Sequence, residues 1–269
     1  MSPAEMLRNK AAEIRKSILA VAVKNGAGHI APSLSCVEIL VALYYRVMNY
    51  RDGDGTWPER DRLVFSKGHG AYALYAILAD KGVIPWSDWE GFYTERSTLV
   101  GCAERNLRYG IEASCGALGH GLPMAVGLAF GAKVRAQSYH TYCIVGDGET
   151  QEGATWEAIQ FAVKHELDNL TIVVDRNRLQ AMDFVKNIMD CGDNDLQRRM
   201  EGFGLQAEVC PGHDTGRLVE LFTKLKATKR NRPALVIAET VKGAGCPCME
   251  NVAKFHFRIP SPEELRMGG

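Results

Sequence analysis

The sequence predicts an α/β fold in which a mainly parallel central sheet carries helices on both faces. Short apolar runs rich in β-branched residues alternate along the chain with helical stretches of roughly 10 to 15 residues. Glycine-rich or polar turns follow several of the apolar runs. No repeat or linker interrupts the pattern, so we expect one domain over residues 1–269, with an irregular C-terminal segment at 242–269.

The first half of the chain begins with a periodic apolar pattern at residues 4–24 that predicts an amphipathic helix. The apolar stretch 36–48 predicts a buried helix, and we expect Ser35 to cap its start. Residues 62–66 predict a short strand that leads through a glycine-led loop into an apolar helix. Glycines at 116, 119 and 121 precede a helix rich in small residues, predicted at 122–136.

The second half alternates more regularly between the two kinds of element. Strands are predicted from the β-favouring composition of the apolar runs at 141–147, 170–177, 205–212 and 233–241. Helices are predicted between them at 153–167, 195–202 and 215–228. This alternation favours parallel strands joined by helical crossovers.

The bulk composition is that of an ordinary soluble protein and excludes several functional classes. Lys plus Arg and Asp plus Glu are equal at 32 each, so net charge points neither to nucleic acid nor to a membrane surface. No apolar run approaches the ~20 residues that span a bilayer. The eight cysteines show no CxxC pair, although Cys246 and Cys248 flank Pro247. Free thiols in a reducing cytoplasm explain these cysteines best.

The polar residues at the ends of two predicted strands suggest a metal and phosphate site. Gly146-Asp147-Gly148 follows the strand at 141–147, and Asn177 follows the next strand. Ligands of open parallel sheets bind beyond the carboxyl ends of the strands. Asp147 and Asn177 offer oxygen ligands suited to Mg²⁺, and Gly148 lets a phosphate approach the backbone. The spacing does not match the GxGxxG pattern of nicotinamide-binding folds.

GDG followed after 28 residues by Asn177 resembles the cofactor motif of thiamine diphosphate enzymes. Further stretches narrow this to a resemblance to the transketolase family. They are AGHIAPSLS at 27–35, DRLVFSKGHGAYALYAIL at 61–78, GALGHGLPMAVGLA at 116–129, GDGETQEGATWEA at 146–158 and a C-terminal TVKGAG…FHFRIPSPEEL. The collinear match runs from about residue 10 to the C-terminus. In length the chain is most similar to the N-terminal subunits of split transketolases.

The resemblance implies a role for each matching residue. Mg²⁺ would be bound by the side chains of Asp147 and Asn177 and by the carbonyl of Leu179. The thiamine diphosphate would contact a second set of residues: His69, Gly116, Leu118, Gly148, Asn177 and His256. The resemblance implies catalytic roles for His29, His69 and His256 at the reaction centre. It also places Glu152 in an acid network that couples two active sites.

The resemblance also implies a partner chain. The glutamate that activates the cofactor and most phosphate-binding arginines belong to another domain of the family, so we expect a C-terminal transketolase subunit to supply them in an α2β2 assembly. The family usually has Gly-His-Pro where this chain has Gly101-Cys102-Ala103. A cysteine does not replace imidazole as a proton carrier near neutral pH, so we expect substrates other than the usual pentose phosphates. The segment after Asn177 also departs from the usual glycine-containing loop.

Three functions remain open from the sequence. The first is transfer of a two-carbon ketol unit from a ketose or ketose phosphate to an aldehyde or carrier-bound acceptor. The second is decarboxylation of a 2-oxo acid with acyl transfer to a lipoyl or carrier domain, which the loss of histidine at Cys102 motivates. The third is a non-catalytic scaffold that has kept the fold. The retained Asp147, Asn177 and three histidines argue against it.

Overall fold

The computed structural model describes residues 1–189 and 195–267. The first half of the chain is mostly helical and contains one strand. Its elements are α1 (Pro3–Asn25), α2 (Ile30–Leu34), α3 (Val37–Ala42), β1 (Arg62–Phe65), α4 (Ala71–Asp80), α5 (Trp86–Glu90) and α6 (Gly121–Val134). A π-helical turn, Leu43–Val47, continues α3, and a 3₁₀ turn, Gly68–Gly70, precedes α4.

The second half alternates strands and helices, as the sequence predicts. Its elements are β2 (Thr141–Gly146), α7 (Gly153–Lys164), β3 (Leu170–Arg176), α8 (Val185–Ile188), α9 (Asp195–Gly202), β4 (Gln206–Pro211), α10 (Thr215–Ala227), β5 (Ala234–Glu239) and α11 (Pro262–Met267). Short 3₁₀ turns at Gly148–Gln151 and Ala253–His256 contribute residues to the site described below.

The five strands of the described residues form one sheet in the order β1-β2-β3-β5-β4, and every neighbouring pair is parallel. In the register between β2 and β3, Gly146 lies opposite Asp175. The two predicted polar strand ends are therefore neighbours at the carboxyl edge of the sheet. The predicted α/β fold class with a parallel sheet is confirmed.

Helices cover both faces of the sheet because the central strands are apolar on both sides. Tyr142 and Ile144 of β2 pack on the face covered by α1, α3, α4 and α10. Cys143 and Val145 point to the other face, where the small residues of α6 let that helix pack closely beside α7. All residues of β2 and β3 are buried, which is typical of the centre of a doubly covered parallel sheet.

Three local predictions need correction or limitation. Ser35 does not cap α3, whose N-cap is Cys36; the Ser35 hydroxyl donates instead to the Pro32 carbonyl and to Asp175. The C-terminal segment is not wholly irregular, because Ser261 and Glu264 form a capping box at α11. Cys191 lies outside the described residues. Within the described ranges, no helix is long and apolar enough to cross a membrane.

Candidate active site

A cavity of about 310 Å³ opens at the carboxyl ends of β2 and β3. Loops from distant parts of the sequence surround it, since parallel strands direct their following loops to one edge of the sheet. Nine of the ten predicted site residues line it: His29, His69, Gly116, Leu118, Asp147, Gly148, Asn177, Leu179 and His256. Cys102 lines it as well.

The Asp147 carboxylate lies against the backbone that follows Asn177. Its Oδ2 accepts a hydrogen bond from the Arg178 amide at 2.5 Å, and its Oδ1 accepts one from the Gly148 amide at 2.8 Å. The Asn177 Oδ1 accepts from the Leu179 amide at 3.1 Å. Arg178 adopts a left-handed backbone conformation, with φ 62°, in the segment where the family usually has a glycine. This turn brings the two predicted metal-binding side chains together.

Asp147 is buried, and its environment favours the approach of a cation. Burial, with a contribution from the nearby Asp175 carboxylate, raises the pKa of Asp147 to about 6. A divalent cation would lower that pKa and remove the cost of a buried negative charge. The donor set of one carboxylate, one amide oxygen and one backbone carbonyl fits Mg²⁺, which keeps several waters or phosphate oxygens as ligands.

Three histidine rings meet in the wall of the cavity. The ring centroids of His29 and His69 are 5.7 Å apart, those of His29 and His256 are 5.3 Å apart, and those of His69 and His256 are 5.2 Å apart. Burial, together with neighbouring lysines and histidines, lowers the pKa of each ring, to about 3 for His256. All three are therefore neutral at pH 7, and each offers one N–H donor and one acceptor.

Lys242 connects the histidines to the predicted metal ligands. Its ammonium group donates to the carbonyls of Leu179 and Gln180, at 2.8 and 3.0 Å, and lies 2.8 Å from the His256 Nδ1. That contact makes Nδ1 of His256 the acceptor and leaves its Nε2–H free to donate. Burial and the nearby Lys67 lower the pKa of Lys242 to about 7. The Leu179 carbonyl, a predicted metal ligand, thus accepts a hydrogen bond from Lys242.

Two polar atoms at the cavity have no hydrogen-bond partner within the described part of the chain, and they show whether the site suits a polar ligand. The Gln180 Nε2 and the His29 Nδ1 are buried and form no hydrogen bond with any described residue. Buried polar groups are normally satisfied, so these atoms favour a ligand that provides partners. A diphosphate has the oxygens that the Gln180 amide requires. The residues present therefore fit thiamine diphosphate with Mg²⁺.

The glycine-rich loop is held in place by an acid that the sequence reasoning missed. Oε1 of Glu149 accepts from the Ser66 hydroxyl at 2.5 Å and from the Gly119 amide at 2.9 Å, while Oε2 accepts from Gly146 at 3.1 Å. Glu149 thus ties together the ends of β1 and β2 and the loop that carries Gly116. Burial raises the pKa of Glu149, and these hydrogen bonds act against that increase.

Glu152 lies apart from the other predicted residues. Its side chain is exposed at the start of α7 and does not line the cavity. It packs against the glycine-rich loop, since a Cβ added to Gly119 would be 2.5 Å from the Glu152 Cβ. Its place on the surface beside this loop is compatible with a role between subunits. The coupling role itself stays a prediction.

Comparison with known proteins identifies the family. A family model described as "Transketolase, thiamine diphosphate binding domain" matches residues 8–263. The chain belongs to the transketolase family. It is 40% identical over 263 residues to an apulose-4-phosphate transketolase subunit of Actinobacillus succinogenes, covering 97% of this chain and 94% of that one.

Other members of the transketolase family differ in how much of their length this chain covers. The 6-deoxy-6-sulfo-D-fructose transketolase subunit of a Clostridium species is 35% identical over 250 residues, which cover 93% of this chain and 90% of that one. The crystal structure of Campylobacter jejuni transketolase superposes with a TM-score of 0.89 at 28% identity. The superposition covers 98% of this chain but only 42% of that transketolase chain.

Several buried charged residues at the cavity were absent from the sequence-based prediction. Lys67, Lys242 and Glu149 line the cavity, and Asp175 lies beneath it. Lys67 stands two residues after the end of β1, and Asp175 stands near the end of the apolar run of β3. Their position at the end of a buried strand could have indicated them, because charged residues are rarely buried without a partner.

Proposed function

We propose that this chain is the thiamine diphosphate-binding subunit of a two-chain transketolase. In this proposal residues 1–269 form a single domain that binds the Mg²⁺-diphosphate end of the cofactor. The complete enzyme transfers a two-carbon ketol unit from a ketose or ketose phosphate to an aldehyde or carrier-bound acceptor in the cytoplasm. The contact of Asp147 with the turn after Asn177, in a cavity also lined by three neutral histidines, carries the proposal.

The names of two relatives support a partner chain. Both the Actinobacillus and the Clostridium relatives are named as transketolase subunits, and this chain spans most of their length. We therefore propose that the partner is a C-terminal transketolase subunit, and that two chains of each kind form a heterotetramer. The partner would supply the glutamate that activates the cofactor. The phosphate and sulfonate sugars in the relatives' names favour a donor with an anionic end.

The chain's own residues would perform binding and proton transfer. Asp147, Asn177 and the Leu179 carbonyl would hold Mg²⁺, and the Gln180 amide would donate to a diphosphate oxygen. When bound, the cofactor would supply the nucleophilic carbon that cleaves the bond next to a ketose carbonyl.

The neutral rings of His29 and His69 would accept and return protons at the donor's hydroxyl groups, and His256 would donate a hydrogen bond there through its Nε2–H. Lys242 orients His256 by donating to its Nδ1.

Reconstitution with the partner subunit, thiamine diphosphate and Mg²⁺ tests the proposal. Ketol transfer from a ketose phosphate should appear in the mixture and should be abolished by Asp147→Ala. Glu157→Ala, which changes an exposed acid on α7, is the matched control and should keep activity. Activity that survives Asp147→Ala would contradict the metal assignment.

Two further measurements separate the alternative functions. Pyruvate with a lipoyl acceptor, tested in the same mixture, should give no product if the ketol-transfer proposal is right. Calorimetry of the mixture should show cofactor binding that requires Mg²⁺. Absence of such binding would favour a scaffold that has lost catalysis.

A further inference from the structure

A second cavity, of about 620 Å³, lies at the opposite end of the sheet from the active site. It adjoins the amino end of β1, where Arg62 begins the strand, whereas the active-site cavity is built beyond the carboxyl ends. Its charged lining consists of four arginines and one acid among the described residues: Arg60, Arg62, Arg108, Arg135 and Glu112. A chain with zero net charge thus concentrates an excess of positive charge in this one hollow.

The inner pair of arginines shares a single carboxylate oxygen. Arg60 Nη1 lies 2.5 Å from Glu112 Oε1, and Arg62 Nη1 lies 3.4 Å from the same atom. The three side chains are largely buried, at 4%, 16% and 7% exposure for Arg60, Arg62 and Glu112. Two guanidinium groups against one carboxylate leave one uncompensated positive charge in a poorly solvated position. Such a charge is costly unless an anion accompanies it.

The outer pair of arginines has no carboxylate partner among the described residues. Arg108 and Arg135 are exposed at the cavity wall, and neither forms an ion pair with any residue in the described ranges. The Arg108 guanidinium group lies 6.0 Å from the centroid of the Tyr109 ring. Their guanidinium groups are therefore available for bidentate hydrogen bonds to phosphate oxygens.

The remaining walls of the cavity are suited to an organic body. The Tyr139 ring lies under the Arg62 guanidinium group, at 4.9 Å, and its hydroxyl donates to the Leu128 carbonyl. Leu107 and Leu128 add apolar surface. A recessed cavity with apolar walls and a few charged groups is the usual form of a small-molecule site.

We propose that this arginine cavity binds a small organic molecule that carries one or more phosphate groups. The phosphate would pair with Arg62, Arg108 and Arg135, and the organic part would rest against Tyr139 and the two leucines. The site is separate from the cofactor cavity, and it does not depend on the function proposed above. A nucleotide and a sugar phosphate share this chemistry, and the experiment distinguishes them.

Arginine-selective modification by phenylglyoxal, mapped by mass spectrometry on the full chain, tests the proposal site by site. The probes are ATP, fructose 1,6-bisphosphate, inorganic phosphate and sodium chloride at matched ionic strength. At least one organic phosphate should slow modification of Arg108 and Arg135 by about tenfold. Arg105, an exposed arginine outside the cavity, should react at an unchanged rate. Whichever organic phosphate protects more strongly identifies the source.

Calorimetry with paired variants gives an independent measurement. Arg108→Gln combined with Arg135→Gln should weaken binding of the protecting ligand by about a hundredfold, and Arg105→Gln should leave it unchanged. Both changed side chains are exposed, so the variant should fold, and circular dichroism verifies this.

Several results would overturn the proposal. One is equal protection by all four probes, which would mean an adventitious ion only. Another is an unchanged dissociation constant in the double variant. The third is protection of Arg108 and Arg135 by the partner subunit without any phosphate, which would make the cavity part of a protein interface.

Discussion

The Lys67 ammonium group and the Asp175 carboxylate form an ion pair that is almost wholly shielded from solvent beneath the active-site cavity. Their side chains are 1% and 0% exposed. Lys67 also donates to the Pro32 carbonyl, and the hydroxyls of Ser35 and Thr240 donate to Asp175. Burial alone would raise the pKa of Asp175, but Lys67 holds it below the usual value. The pair joins the loop after β1 to the end of β3.

We expect Lys67→Met to destabilise the chain by about 3–5 kcal/mol, because it leaves Asp175 as an uncompensated buried charge. The double variant Lys67→Met/Asp175→Asn should lose clearly less than the sum of the two single changes. Urea unfolding of the four proteins measures both effects. Lys254→Met, which breaks an exposed pair with Glu264, is the control and should cost under about 1 kcal/mol. If Lys67→Met and Lys254→Met lowered the free energy of unfolding by similar amounts, the role of burial would be contradicted.

Gly68 is expected to tolerate no side chain. A Cβ there would lie 1.2 Å from the carbonyl oxygen of Cys115, which belongs to the backbone and has no rotamer to change. Gly68→Ala should therefore cost more than about 3 kcal/mol and disturb the turn that carries His69. Gly127→Ala is the opposite case, since nothing lies within 4 Å of its added Cβ inside α6. It should stabilise the isolated chain by about 0.5–1 kcal/mol in thermal or urea unfolding.

His140 should make stability depend on pH below neutrality. Burial lowers its pKa from 6.5 to about 4, and its Nε2 lies 2.8 Å from the Thr171 hydroxyl. The unfolded chain therefore binds a proton at a higher pH than the folded chain does. This contribution to stability is complete above pH 6.5 and is lost as pH falls toward 4, by about 3 kcal/mol. Urea unfolding of His140→Gln from pH 7 to 4 should show a shallower decline than the parent chain; parallel curves would contradict this.

Cys102 should influence the sugar substrate without affecting the cofactor. It lines the cavity, 3.6 Å from where a side chain on Gly116 would begin, and burial raises the pKa of its thiol. In the reconstituted enzyme, Cys102→His should lower KM for a pentulose phosphate by about threefold to tenfold, the value of one added hydrogen bond. The dissociation constant of thiamine diphosphate should not change. If Cys102→His changed the cofactor affinity and left KM unchanged, Cys102 would act on the cofactor and not on the sugar substrate.

The sequence predicted the sheet, its helices and most of the cavity because those features depend on local signals. The apolar runs of β2 and β3 are long enough to be recognised, and Asp147 and Asn177 stand directly beyond them. The buried charges escaped prediction because their partners are far away in sequence. Lys67 and Asp175 are 108 residues apart, so the local sequence around each does not show that they pair.

The capping prediction at Ser35 failed for a similar reason. Serine before an apolar helix is a sound local signal for an N-cap. The buried carboxylate of Asp175, 140 residues away, takes the hydroxyl as a hydrogen-bond donor instead. A contact formed only in the tertiary structure thus outweighed the local preference.

The contact between the rings of His29 and His256 also constrains how the protein is made. These rings lie 5.3 Å apart although 226 residues separate them in the chain. Loops this long close slowly, and parallel pairing adds further delay. During synthesis the loops that carry His29 and His69 emerge first. They cannot contact His256 until the C-terminal turn at Ala253–His256 has been translated. The group of three histidines in the cavity is therefore completed only at the end of translation. A nascent chain stalled before His256 would lack it.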